Sequence, residues 1–400
     1  MSQGTGENTT ANLGTAALEP LRGVDHAQVL RAALQIRADG GVPLIGDERW
    51  NDQHWQELVA AATQHQLPEQ AAWAGFTSGS TGDPRIVVRH HSSWRCSFAA
   101  VTRLLGARPG DTMLIPTHPV SSMALYAAAH AQGTGLRFTV PHTARLRAED
   151  LHGPDLMHGT PWHLREVIQL IEAGAHCTLR AVLIGGDRLE ADLAAQARRL
   201  GLRVIGYAGA AELSFLAVDT GTGLRAFPGV ELRVDDDAVL WARSEQLCSA
   251  VLGNGSALRT AHTAEDRPEG QPWATVGDRA ALPGGALTLY GRANDVILTA
   301  GATVLPADVE AVLNRLPGVS ASLVVAAPHR TLGHRVAAFI ETPSGAAWDR
   351  SALLRQVRSQ LAPAQYPRIL RHVTSLPRTA SGKVRRLGYT EAQQLAEHVP

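Results

Sequence analysis

The run GFTSGSTGDPR at residues 75–85 spaces three glycines among hydroxyl side chains and ends on a cation, Arg85. Glycine lets successive backbone N–H groups turn inward and form a nest for an anion. Around Gly79 and Gly82, the side chains of Thr77, Ser78, Ser80 and Thr81 add hydroxyl donors. The same composition builds ordinary polar surface turns. The Walker pattern, which needs Gly-Lys-Ser/Thr at its end, is not met. Taken alone, the run leaves a phosphate loop and a surface turn both open.

Four further segments bear on that choice. GYAGAAELSF (206–215) follows an apolar strand and puts Glu212 where a carboxylate could hold a metal near a phosphate. TVGD (275–278) sets Asp278 at a turn, suited to accepting hydrogen bonds from ribose hydroxyls. GRANDVILTAG (291–301) and LPRTASGKVRR (376–386) complete the series. The five segments, in this order and spacing, resemble the adenylate-forming superfamily, and within it the compact bacterial acyl-CoA synthetases. The resemblance covers about residues 70–390.

That resemblance implies an ATP-dependent carboxylate–CoA ligase. Such an enzyme activates an acyl or aryl acid as acyl-AMP, releases pyrophosphate, and passes the acyl group to CoA. It implies that Thr77, Ser78, Gly79, Ser80, Thr81, Gly82 and Arg85 cradle the ATP phosphates, with Gly209 and Ala210 in the AMP site. It makes Glu212 the ligand of Mg²⁺, a hard ion that prefers carboxylate and phosphate oxygens. Asp278 would grip the ribose, with Arg292 supporting ribose and phosphate. Lys383 would reach over the α-phosphate and offset the charge that builds in the transition state. Asn294 falls at the hinge position, Gly301 beside the path of the CoA arm, and His118 near an acyl-pocket histidine. Two other outcomes stay open: delivery to a carrier-protein thiol or an amine, and a nucleotide-binding homologue without catalysis.

The chain departs from the family pattern in several places. Arg85 replaces a lysine, exchanging a mobile point charge for a planar fork. Ala208 and Ala211 stand where an adenine-stacking aromatic and a hydroxyl are expected, with Tyr207 one residue early. The hinge is uncharged, and the segment ahead of the phosphate loop is short.

Elements that could position these residues are legible in the hydrophobic pattern. RAVLIGGDRL and LRVIGYAG are apolar strands ending in glycines, and EADLAAQARRLG between them has helical spacing closed by Gly201. WQELVAAATQHQL also has helical spacing, while SSMALYAAAHAQG is either a pocket helix or plain core. From Leu224 to Arg292 short strands such as VELRV, AVLWAR and ALTLYGR point to a small β-rich subdomain. In the last hundred residues, PADVEAVLNRLPGV puts Val309, Val312, Leu313 and Leu316 on one face, and strands and a second amphipathic helix follow. The expected fold is α/β: a flexible segment 1–20, a layered AMP-binding domain 21–292, and a mobile α+β lid 293–400.

Bulk composition agrees with a globular enzyme. Of 400 residues 44% are hydrophobic and 18% charged, enough for a sizeable core. Lys+Arg and Asp+Glu are 37 each, so no net field draws the chain to nucleic acid. Three widely spaced cysteines suggest a reduced cytoplasmic protein, and neither a signal peptide nor a membrane span is indicated. No HExxH or Cys/His pattern for zinc occurs.

Overall fold

The computed structural model describes residues 17–76, 85–253, 258–262, 270–292, 297–299, 302–343, 348–358, 360–379 and 382–397. Thr77, Ser78, Gly79, Ser80, Thr81 and Gly82, expected to form a phosphate loop, lie outside them, as do Asn294, expected as a hinge, Gly301, expected beside the CoA path, and the side chain of Arg292.

A large N-terminal α/β domain is followed by a small C-terminal one. The centre of the first is a nine-stranded sheet. Five of its strands are parallel: Arg137–Thr139, Thr112–Leu114, Leu156–Gly159, Ala181–Ile184 and Arg203–Ala210, in that spatial order. Helices Ser122–Gly133, Pro161–Glu172 and Ala191–Arg199 form the crossovers. The inner strands Leu156–Gly159 and Ala181–Ile184 are buried at every position. Continuous apolar runs of this kind are what a sheet covered on both faces requires. Separate apolar clusters accordingly lie on its two faces.

Helix Ser122–Gly133 shows why its sequence resists an amphipathic reading. Every residue from Ala124 to Ala131 is buried, because it packs against two other helices, His26–Ala38 and His91–Leu105. The small alanines let three helices approach closely. Core packing accounts for the run.

The remaining sheets differ in part from expectation. Residues Leu18–Leu21 form a strand parallel to Val42–Ile45, so the segment 1–20, expected to be flexible, holds the start of a strand. That strand is an edge of a five-stranded sheet that includes Ala71–Phe76 and Ile86–His90, the two strands on either side of the expected phosphate loop in sequence. The stretch 224–292 is not one β subdomain. Its strands Glu231–Val234, Leu240–Arg243, Trp273–Thr275 and Arg259–Ala261 form a separate antiparallel sheet. Leu224–Ala226, Asp278–Ala281 and Ala286–Arg292 instead extend the large sheet, and Ala250–Leu252 joins the five-stranded one. Strand pattern reveals that a segment pairs, but long-range register selects its partner.

The C-terminal sheet pairs Ala321–His329 with Gly333–Glu341 along nine residue pairs and adds Ile369–Val373 in parallel. Helix Pro306–Leu313 buries Val309, Val312 and Leu313 against it, as the spacing requires. Among the described residues no helix is long and apolar enough to cross a membrane.

Candidate active site

Parallel strands in an open α/β sheet deliver their loops to one edge, the usual place for ligands. Here the carboxyl ends of three adjacent strands bring Thr160, the Gly185–Gly186 turn and the Glu212 turn to that edge. Glu212 is 3% exposed. Its turn is tight: a Cβ built on Gly209 would fall 2.2 Å from the Ser214 carbonyl oxygen, so glycine alone allows the hairpin to close. Ser214 itself has φ of 59°.

Glu212 has an unusual neighbour. Arg89, 2% exposed on the strand Ile86–His90, donates to the carbonyl of Gln246 at 2.5 Å and to that of Ala211. Burial pulls its pKa down to about 10, with Cys248 and Glu212 acting in the opposite sense. Cys248 in turn donates its N–H to the Glu212 carbonyl at 2.9 Å. The guanidinium therefore ties three chain segments round the carboxylate. Sequence reasoning missed Arg89, although one cation inside the apolar run IVVRH was a usable signal. No donor among the described residues hydrogen-bonds the Glu212 carboxylate. A buried carboxylate with unused acceptor oxygens is a fitting donor for Mg²⁺.

Arg85 is also buried, at 7% exposure, directly before Ile86–His90. Asp278 and Arg292 are brought together as cross-strand register partners, which nothing in their spacing of fourteen residues reveals. Gly209 and Ala210 end the strand that leads into the Glu212 turn.

Lys383 comes from the C-terminal domain to the same sheet edge. A Cβ built on Gly186 would lie 3.9 Å from Lys383 Cε, 3.5 Å from Thr160 Cγ2 and 2.9 Å from Met123 Cε. The preceding Gly382, at φ of 84°, sits over Trp162 and Thr160: a Cβ there would be 3.0 Å from Trp162 Cε3 and 3.6 Å from Thr160 Oγ1. The lysine loop is held by hydrogen bonds from Thr379 N–H to the Lys383 carbonyl at 2.7 Å and from Gly382 N–H to the Thr379 carbonyl at 2.8 Å. Arg378 extends over the Trp162 ring at 5.5 Å. Two ion pairs with at least one exposed partner also link the domains, Arg188–Asp308 at 3.7 Å and Arg315–Glu190 at 3.9 Å. Such pairs contribute little, about 0–1 kcal/mol each.

Strand alternation decides the fate of Tyr207. Successive side chains point to opposite faces, so Tyr207 cannot take the place of the aromatic missing at Ala208. Its ring lies instead across Gly185, where an added Cβ would be 2.1 Å from Tyr207 Cζ. Its hydroxyl is 2.9 Å from His158 Nε2 and its ring 4.6 Å from that of Phe215. His158 is 1% exposed, and burial pushes its pKa down to about 3, so it is neutral.

His118 is held by hydrogen bonds to Glu48 and to its own loop. Its Nδ1 accepts the Val120 N–H at 3.1 Å, which leaves the proton on Nε2, and Nε2 faces Glu48 Oε2 at 2.7 Å. His26, Glu48 and His118 have ligand atoms within 4.8 Å of one another. With Nε2 protonated by this tautomer, the cluster is a hydrogen-bonded strut between the 46–49 turn and the 118–121 loop.

The sequence matches the family model described as AMP-binding enzyme over residues 14–240, and that of the AMP-binding enzyme C-terminal domain over 308–383. It is 27% identical to VraA of Staphylococcus epidermidis, named for long chain fatty acid–CoA ligation, with 88% of this chain and 82% of that protein covered. It is 28% identical to a 2-succinylbenzoate–CoA ligase of Salmonella typhimurium, covering 78% and 67% of the two chains. Escherichia coli MenE with bound OSB-AMS superposes with a TM-score of 0.77 at 20% identity, over 95% of this chain and 87% of that one. ATP-bound MatB of Rhodopseudomonas palustris gives 0.75 at 17%, over 96% and 89%. At these identities the two structures speak for the fold.

Proposed function

The chain belongs to the AMP-binding enzyme family and is an AMP-forming carboxylate–CoA ligase that consumes ATP and CoA, and on that premise we propose which of its residues carry the two half-reactions. The observation that carries the assignment is the approach of Lys383, from one domain, to the Gly185–Gly186 edge of the other.

In the first half-reaction a carboxylate oxygen of the acid attacks the α-phosphorus of ATP. The bond to the β-phosphate oxygen breaks and pyrophosphate leaves. Lys383, as a cation at the end of a hydrogen-bonded loop, neutralises the added negative charge at the α-phosphate. Arg85 and the loop of Thr77, Ser78, Gly79, Ser80, Thr81 and Gly82 bind the outer phosphates. Asp278 accepts from the ribose hydroxyls, Arg292 supports the ribose and phosphate from the paired strand, and Gly209 and Ala210 border the nucleotide. Glu212 would hold Mg²⁺, which when bound offsets phosphate charge. In the second half-reaction the CoA thiolate attacks the acyl carbon and AMP departs. We assign residues 21–292 to the AMP-binding domain and 293–400 to a lid that turns about Asn294 and then presents Gly301 to the CoA arm. The weak ion pairs between domains favour such a rotation. We place the enzyme in the cytoplasm, where its free cysteines stay reduced.

Lys383→Ala tests the assignment. Acyl-AMP formation should fall about 10²–10³-fold, the cost of losing one such electrostatic donor. Thioester formation from supplied acyl-AMP should be nearly unchanged. Equal loss in both half-reactions would refute the role.

A further inference from the structure

We propose that Tyr207, braced by His158, is the end wall of the acid pocket and restricts this ligase to compact monocarboxylic acids with uncharged tails. The inference rests on the placement of Lys383 at the reacting phosphate. The acid must meet that phosphate beside Gly186, because Lys383 Cε stands there. From Gly186 the next residue along the edge is Gly185, and the Tyr207 ring occupies the space that a methyl group there would need. Met123 Cε and Thr160 Cγ2 also stand against Gly186.

Two features keep this wall in place. The Tyr207 hydroxyl and His158 Nε2 are hydrogen-bonded, and the ring packs on Phe215. Tyr207 remains partly exposed while His158 behind it is buried, as expected for a residue that fronts a cleft. Swinging the ring away would strand a buried imidazole without its partner. Chemistry at this end is neutral as well. His158 is held uncharged by burial, and burial pushes the Tyr207 hydroxyl up, so it too stays protonated. A second carboxylate on the substrate would meet no cation in Tyr207 or His158, and burying an unpaired charge is costly. An apolar tail loses nothing there beyond its length.

The test is a chain-length series assayed by pyrophosphate release, from acetate to hexadecanoate, with succinate and glutarate as charged counterparts. Wild type should prefer the short monocarboxylates, and kcat/KM should fall roughly 10-fold or more for each methylene past the limit. Tyr207→Ala should move the optimum to longer acids, raising the octanoate-to-butanoate ratio by about 10²-fold. Tyr207→Phe keeps the ring and should keep the limit. Tyr207→Leu serves if the alanine variant does not fold, since it shortens the wall while filling more of the space. A shift in the optimum is a readout that general loss of structure does not produce. Hexadecanoate used as well as butanoate by wild type, or an unchanged length profile in folded Tyr207→Ala or Tyr207→Leu, would overturn the inference. Succinate used better than butanoate would overturn the part concerning charge. Pyrophosphate release with none of the acids would refute the ligase reading itself, a separate outcome.

Discussion

Replacing Arg89 by Met removes the buried fork behind Glu212 while keeping most of its volume. The buried carbonyl of Gln246 and the part-buried one of Ala211 lose their donor. An unsatisfied buried group costs about 1–3 kcal/mol, so the gross loss is about 2–6 kcal/mol as an upper bound. The opposing gain is relief of desolvation. Burial pulls the Arg89 pKa down to about 10, so the fold no longer spends roughly a few kcal/mol on holding the cation. The two nearly offset, so global stability should fall by no more than about 3 kcal/mol. The functional consequence is larger, because the Ala211 carbonyl adjoins Glu212 and its displacement moves the carboxylate directly. We expect Arg89→Met to melt as a folded protein yet need more Mg²⁺ for half-maximal pyrophosphate release, with adenylation slowed about 10–100-fold, the order of loss expected when a supporting group misplaces a reacting one. Arg89→Lys, which cannot reach both carbonyls in a planar fork, should fall between the two. Thioester formation from supplied acyl-AMP should persist. A folded Arg89→Met enzyme with the wild-type Mg²⁺ titration would refute the reasoning.

Glu212→Gln should also raise the Mg²⁺ requirement along with lowering the rate, since an amide is a poorer hard-ion ligand; a wild-type titration would place the metal elsewhere. Glu166, 8% exposed, has its carboxyl pushed up to about 7 by burial, against 4.5 in an open chain. Between those values the native state binds the extra proton, so stability falls as pH rises, by up to about 3 kcal/mol. Glu166→Gln should therefore equal wild type near pH 4 and exceed it by about 1–3 kcal/mol at pH 8 in denaturant melts; a constant difference across that range would contradict this. Asn294→Pro fixes φ near −65° and should slow the two half-reactions unequally, as lid rotation requires. A folded variant with both rates intact would move the hinge elsewhere.

Sequence by itself determined the architecture and the family. Apolar runs ending in glycine, such as those at 181–186 and 203–209, announce parallel strands because a strand buried on both faces has no polar side to show. The helix at Pro306–Leu313 was legible for the same local reason, its apolar spacing. Five short motifs in order were enough for the family, since each is a run of residues only a few positions apart. Tertiary structure decided what depends on distance through space rather than along the chain. It joined Asp278 to Arg292 across a ladder, carried Lys383 to Gly186 from a separate domain, and set Arg89 behind Glu212 across 123 positions of sequence. It also turned Tyr207 away from the position left by Ala208, because a strand's two-residue period admits no slip of one. Local pattern encodes which face a side chain takes, while only the packed sheet specifies what stands on the other side.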